Sequence, residues 1–228
     1  MTEQAVREER KVVSALFADI VGSTALAERL DPEEVKLVVG EAVSRVVGVI
    51  EDLGGHVKDL AGDGVLAFFG APVSSEDDAE RAVRAGLRIA DEMRRYATEV
   101  EQAWAVEGFG VRVGVGTGPV VLGEIGAGSR IEYAAFGDTV NVAARLQSAA
   151  APGRVLVDDA TANAVEGTFE TEEPVLLELK GKSQPVAALT VLRARAQGAR
   201  RRGLAGALVG RDRELERADE WLERLRGG

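Results

Sequence analysis

Two short segments, FADIVGST at residues 17–24 and AGDGVLAFFG at 61–70, carry the residues whose types and spacing suit chemistry. Asp19 follows the apolar run 12–17 and precedes Val21-Gly22-Ser23-Thr24, which read as a turn opening a helix. Asp63 stands between Gly62 and Gly64, ahead of the apolar run 65–69. Each carboxylate therefore sits at the tip of a strand, beside glycines that permit close approach. Two carboxylates converging from neighbouring strand ends can hold divalent cations, and backbone N–H groups at a helix start can hold phosphates. The combination implies metal-dependent nucleotide chemistry.

The elements that must position them alternate along the chain. A strand ending near Phe17 leads into a short helix over 25–30. Asp31-Pro32 then supplies an N-cap and first-turn proline for a helix reaching about Leu53. Gly54-Gly55 ends that helix, and strands over 56–60 and 65–69 form a hairpin around Gly62-Asp63-Gly64. A third helix begins near Ser75 and extends to about Arg95, with Ala79, Ala82, Val83, Gly86, Ile89, Ala90 and Met93 at the 3/4 spacing of one buried face. A glycine-punctuated β region over 109–126 and a strand over 131–136 precede a helix over 139–148 and a strand over 155–157. A last strand pair, 174–179 and 186–192, flanks Lys180-Gly181-Lys182-Ser183. Helices mixed with hairpins, rather than regular βαβ units, predict an α+β fold with helices packed on an antiparallel-containing sheet.

Composition narrows the function. The 228 residues are 46% hydrophobic and 29% charged, ordinary for a globular protein, and no apolar run approaches a membrane span. The polar start MTEQAVREERK carries no secretory pattern, and cysteine is absent, which fits a cytoplasmic setting. A net charge of −10 argues against non-specific nucleic-acid binding. The single histidine, His56, cannot build a histidine metal cluster. From about Ala194 the character changes. Residues 194–207 read as a basic, glycine-broken linker, and 208–228 as the truncated start of a further module.

FADIVGST, GDGVLAFFG, VRVGVGTGPVVLGEIG and FGDTVNVAARLQ, in this order, resemble the class III nucleotidyl (adenylate/guanylate) cyclase catalytic domain, over roughly residues 10–193. The resemblance implies the ferredoxin-like, palm-type sheet of that family. It implies that Asp19 and Asp63 bind two Mg2+ or Mn2+ ions per site, with the Ile20 carbonyl as a further ligand. Val21, Gly22, Ser23, Thr24, Arg112 and either Lys180 or Lys182 would meet the triphosphate. Asn141 and Arg145 would orient the ribose and stabilise the transition state, their i, i+4 spacing putting both on one helix face. In that family the site lies between two domains paired head to tail, so a homodimer would have two equivalent sites. The reaction is attack of the ribose 3′ oxygen on the α-phosphorus with loss of pyrophosphate, and it needs no histidine base. The segment Leu208-Val209-Gly210-Arg211-Asp212-Arg213-Glu214-Leu215 resembles the opening of P-loop ATPase modules that follow such domains in larger bacterial signalling proteins.

The base-recognising pair departs from the family. The adenine-selective lysine is expected four residues before the second metal aspartate, where this chain has Asp59, with Lys58 one place earlier; Ala134 stands where many members have aspartate or threonine. An acidic Asp59 suits the N1 and N2 donors of guanine. A strand bulge would instead bring Lys58 to the purine, where it suits the N1 acceptor of adenine. The expectation is an adenylate cyclase making cyclic AMP, with a guanylate cyclase as the alternative. A non-catalytic cyclase-like regulatory module is a third reading, set against retention of Asp19, Asp63, Asn141 and Arg145. No GGDEF-like segment points to a diguanylate cyclase.

Overall fold

The computed structural model describes residues 9–127, 130–178 and 185–195, with the side chains of 124–136 outside that description. All of them fall in the compact unit Met1–Arg195. Lys180, Lys182 and the segment 208–228 lie outside the described residues.

The long apolar run at the start forms β1 (Glu9–Val21), followed by the short helix α1 (Ser23–Arg29) and α2 (Pro32–Asp52). Asp31 precedes α2 as expected, and its backbone N–H donates to Glu34 Oε2 at 3.2 Å. The hairpin β2 (His56–Ala61) and β3 (Gly64–Phe69) leads to α3 (Asp78–Trp104). This helix starts three residues later than the sequence suggests and runs nine further. Its buried stripe contains all seven expected positions and continues through Tyr96 and Val100. β4 (Gly110–Ala127) and β5 (Arg130–Phe136) form the next hairpin, followed by α4 (Asp138–Ala149) and β6 (Val155–Asp158). The chain then adds α5 (Asp159–Ala164) and β7 (Phe169–Thr171), two short elements without a readable sequence period, before β8 (Val175–Leu177) and β9 (Val186–Ala194).

Among the described residues the strands join in the order β2-β3-β1-β4-β6-β9-β7, with β5 on β4 and β8 on β9. Only β4 and β6 run parallel; every other pair is antiparallel. One sheet face carries the main core, where Leu16, Ala18, Ile20, Val113 and Val115 pack with the buried residues of α2 and α3. On the opposite face Val13, Ala15, Phe68, Val120 and Leu122 pack with Ala143 of α4. Strand alternation assigns the two sets: odd positions of β1 look toward α4, even ones toward α2 and α3.

The glycines of VGVGTG explain how α4 can lie so near the sheet. A Cβ on Gly114 would fall 2.2 Å from Gln147 N and 2.3 Å from Ala143 O, and one on Gly118 would fall 2.7 Å from Thr139 Oγ1. The missing side chains form a shallow bed, and the helix backbone rests directly in it. Thr139 Oγ1 also donates to Pro119 O at 3.1 Å, fixing the helix start.

A buried polar cluster braces the β4–β6 junction. Asp158 Oδ1 accepts from Thr161 N at 2.8 Å, Thr161 Oγ1 at 2.5 Å and Thr117 N at 3.3 Å. The hydroxyls of Ser14, Thr117 and Thr161 form a chain with 2.8 Å links. Burial pushes the Asp158 carboxyl above its ordinary range, although the threonine hydrogen bonds oppose the rise. A carboxyl held higher in the fold than in the unfolded chain stabilises the fold below its unfolded value, and that contribution is lost as pH rises through the folded value. Asp158→Asn keeps an acceptor oxygen and carries no charge, so its urea midpoint should fall less than that of wild type as pH rises from 4 to 7. Asp158→Ala should cost about 1–2 kcal/mol through the lost helix cap. Parallel pH curves for wild type and the asparagine variant would remove Asp158 as the source.

Candidate active site

Asp19 lies at the C-terminal end of β1, where its neighbours across the sheet are Gly64 on β3 and Arg112 on β4. Asp63 occupies the two-residue turn between β2 and β3, immediately before Gly64. Gly62 adopts a φ of 66°, a conformation suited to glycine in so tight a reversal. The β1–β3 register therefore carries the turn to the level of Asp19. A Cβ on Gly64 would stand 3.5 Å from Asp19 Oδ1, so that oxygen faces the turn. The other oxygen, Oδ2, accepts from Gln147 Nε2 at 3.3 Å.

The electrostatics of the site suit both a cation and an anion. Burial and the charge of Asp63 push the Asp19 carboxyl above the usual carboxylate range, while the Gln147 hydrogen bond and Arg112 pull it back. Beside it, Arg112 Nε is buried and has no hydrogen-bond partner. A repelling carboxylate pair suits a cation, and an orphaned buried guanidinium nitrogen suits an anion. Among the described residues no three His, Asp or Glu side chains gather. Two carboxylates with the remaining coordination from backbone, water and phosphate oxygens is a donor set suited to magnesium. Ile20 could contribute only its carbonyl, because its side chain is buried in the main core.

Val21 ends β1, and Gly22 precedes α1 at φ 91° with no side-chain cap on the helix. A Cβ on Gly22 would lie 3.0 Å from Gly108 O, so both conformation and space call for glycine there. Ser23 and Thr24 form the first turn of α1.

Asn141 and Arg145 both lie on α4, as expected, but they face away from Asp19. At 100° per residue they stand about 120° and 160° around the helix from Gln147, which contacts the carboxylate. Asn141 is exposed and Arg145 half-buried, whereas Thr139, Ala143 and Gln147 face the sheet. One chain thus brings Asp19, Asp63 and Arg112 together and points Asn141 and Arg145 elsewhere.

The strand β2 contains the bulge on which the base reading depended. Val57 pairs with Ala67 and Asp59 with Leu66, leaving Lys58 as an extra residue without a partner opposite. Val57 packs on the main core and Leu66 on the α4 side, so Asp59 belongs to the α4 side as well. Asp59 is exposed, and its Oδ1 accepts from Leu60 N at 2.9 Å. Ala134 on β5 pairs with Gly123 on β4, and its side-chain surroundings lie outside the described residues. Gln147 is the site residue that the sequence reading missed. Its signal was its place two residues beyond Arg145, on the sheet-facing side of the same helix.

Comparison with known proteins bears on the family and the fold. The chain is 36% identical to "Adenylate cyclase 1" of Rhizobium meliloti over 138 residues, 60% of this chain and 21% of that protein. The chain thus spans about a fifth of that relative. Among solved structures it is similar to the adenylyl cyclase CyaB of P. aeruginosa, with TM-score 0.80 and 27% identity over 85% of this chain and 100% of the other. It is also similar to the guanylyl cyclase Cya2, with TM-score 0.77 and 30% identity over 83% and 96% of the two chains. The profile described as "Adenylate and Guanylate cyclase catalytic domain" matches residues 5–191, and the chain belongs to that family.

Proposed function

We propose that this domain converts ATP to 3′,5′-cyclic AMP and pyrophosphate at a site shared by two copies of the chain, with Mg2+ or Mn2+ held by Asp19, Asp63 and the Ile20 carbonyl. The observation that carries the shared site is the orientation of α4. Asn141 and Arg145 point away from the carboxylates of their own chain, which supports a second chain bringing a nucleotide to them. A head-to-tail homodimer does this twice by symmetry.

The cations, when bound, would lower the pKa of the ribose 3′ hydroxyl and neutralise triphosphate charge. Asp19 and Asp63 would hold them. Arg112, with Nε unpaired, offers a donor to the triphosphate beside them. The N–H groups of Gly22, Ser23 and Thr24, and Lys180 or Lys182, would complete the phosphate contacts. Asn141 of the second chain positions the ribose, and its Arg145 meets the charge that grows on the α-phosphate. The same assembly is proposed to work in the cytoplasm as part of a larger signalling protein, with residues 208–228 opening a P-loop ATPase module.

The bulge at Lys58 supports ATP, since it frees this lysine from strict alternation, and a lysine turned to the purine would suit the N1 acceptor of adenine. The exposed Asp59 on the α4 side favours the second reading, GTP to cyclic GMP. Product analysis with ATP and with GTP, each in Mg2+ and in Mn2+, tests both. Cyclic AMP as main product bears out the first reading; cyclic GMP in excess replaces it with the second. Asp59→Lys should shift preference toward ATP by about tenfold if Asp59 reads the base, within the 1–3 kcal/mol of one mismatched hydrogen bond. An unchanged product ratio would show that it does not.

A further inference from the structure

We infer that Gln147 is a positioning residue for the metal site: its amide holds one oxygen of Asp19 and turns the other toward Asp63. The inference rests on the reading of Asp19 and Asp63 as metal ligands.

Asp19 has two oxygens with different surroundings. Oδ2 accepts from Gln147 Nε2 at 3.3 Å, while Oδ1 stands toward the β2–β3 turn, where a Cβ on Gly64 would be 3.5 Å away. The oxygen without a hydrogen bond is therefore the one on the side of the Asp63 turn, and Oδ1 would be the leading ligand of a cation held between Asp19 and Asp63. Gln147 suits this task in three ways. It is buried, with 8% exposure, so water does not compete freely for its amide. Its backbone lies close against the sheet, since a Cβ on Gly114 would fall 2.2 Å from Gln147 N, and this brings the side chain within reach of Asp19. Only its NH2 end can pair with a carboxylate, which accepts, and its Oε1 lies 3.3 Å from the Ser148 hydroxyl, whose one proton it shares with Ala144 O at 3.0 Å. A neutral donor in this place orients the carboxylate without cancelling the charge that a cation needs. Hydrogen bonds to metal ligands from such outer groups typically govern about 10–100-fold in metal affinity.

Gln147→Met removes the donor and keeps the volume. In the full chain, Mn2+ titrated without nucleotide and followed as free Mn2+ by EPR should bind the variant about 10–100-fold more weakly than wild type. Its melting temperature in EDTA should stay near the wild-type value. In assays the half-saturating Mn2+ concentration should rise by a similar factor, while kcat at saturating Mn2+ changes far less. A folded methionine variant with wild-type Mn2+ affinity overturns the inference. If that variant does not fold, Gln147→Asn decides instead, since it keeps an amide but withdraws it from Asp19; unaltered affinity there overturns the inference equally. Asp63→Asn separates the two levels of the claim. If it binds Mn2+ as wild type does, the metal site itself is misassigned and the role of Gln147 falls with it.

Discussion

Replacing Asp19 or Asp63 by alanine is expected to reduce cyclic nucleotide formation at least about a hundredfold, since polarisation by a bound cation supplies several kcal/mol and each 1.36 kcal/mol is tenfold in rate. The fold should survive both changes. Asp19 is ionised at a cost in the metal-free protein, because burial and the charge of Asp63 push its carboxyl upward. With its folded value above its unfolded one, stability from this group is present at low pH and lost as pH rises through the raised value. Asp19→Asn should then leave the metal-free protein at pH 7 as stable as wild type or more so, while removing activity. Such a pairing of lost function with retained stability marks a group kept for chemistry rather than packing. Melting curves in EDTA beside product assays in Mn2+ would check it. Activity near wild type in either alanine variant would overturn the metal assignment.

Arg145→Ala should lower kcat about 10²–10³-fold, the usual loss when one preorganised donor to a developing oxyanion is removed (~2.7–4 kcal/mol). Stability should change little, because Arg145 lies on the outward side of α4 and makes no ion pair among the described residues. The stronger test mixes two inactive chains. In a head-to-tail dimer of Asp63→Ala with Arg145→Ala, one site has both defects and the other has neither. Random assortment makes half of all dimers mixed, each with one good site of two, so activity should recover to about a quarter of wild type. Mixed dimers that form and stay inactive would refute the shared site. The orientation of α4 would then require a different route for Arg145 to the nucleotide.

The strands, helices and carboxylates were legible in the sequence because each is written locally. Asp31-Pro32 marks the start of α2, the 3/4 stripe marks α3, and apolar runs stopped by glycine mark β1 and the β2–β3 hairpin. Where the reading ran short, the cause was local as well. α3 begins at Asp78 rather than Ser75 and continues to Trp104, since periodicity fixes a helix better than its ends. α5 and β7 were missed because six and three residues are too few to show a period.

By itself the sequence offered Asp19 and Asp63 at strand ends as residues that could do chemistry, and the motifs that resemble the cyclase family added Arg112, with Asn141 and Arg145 one helical turn apart. Those are matters of residue type and short spacing, which the chain carries without folding. Only the tertiary structure decided which of them meet. The registers of β1 with β3 and β4 set Gly64, at the end of the Asp63 turn, and Arg112 beside Asp19. The glycine bed under α4 lets Gln147 reach the carboxylate while turning Arg145 outward. The bulge that leaves Lys58 unpaired belongs to the same class of fact. Register, close approach and rotation about a helix axis depend on partners tens of residues away, and no local pattern records them.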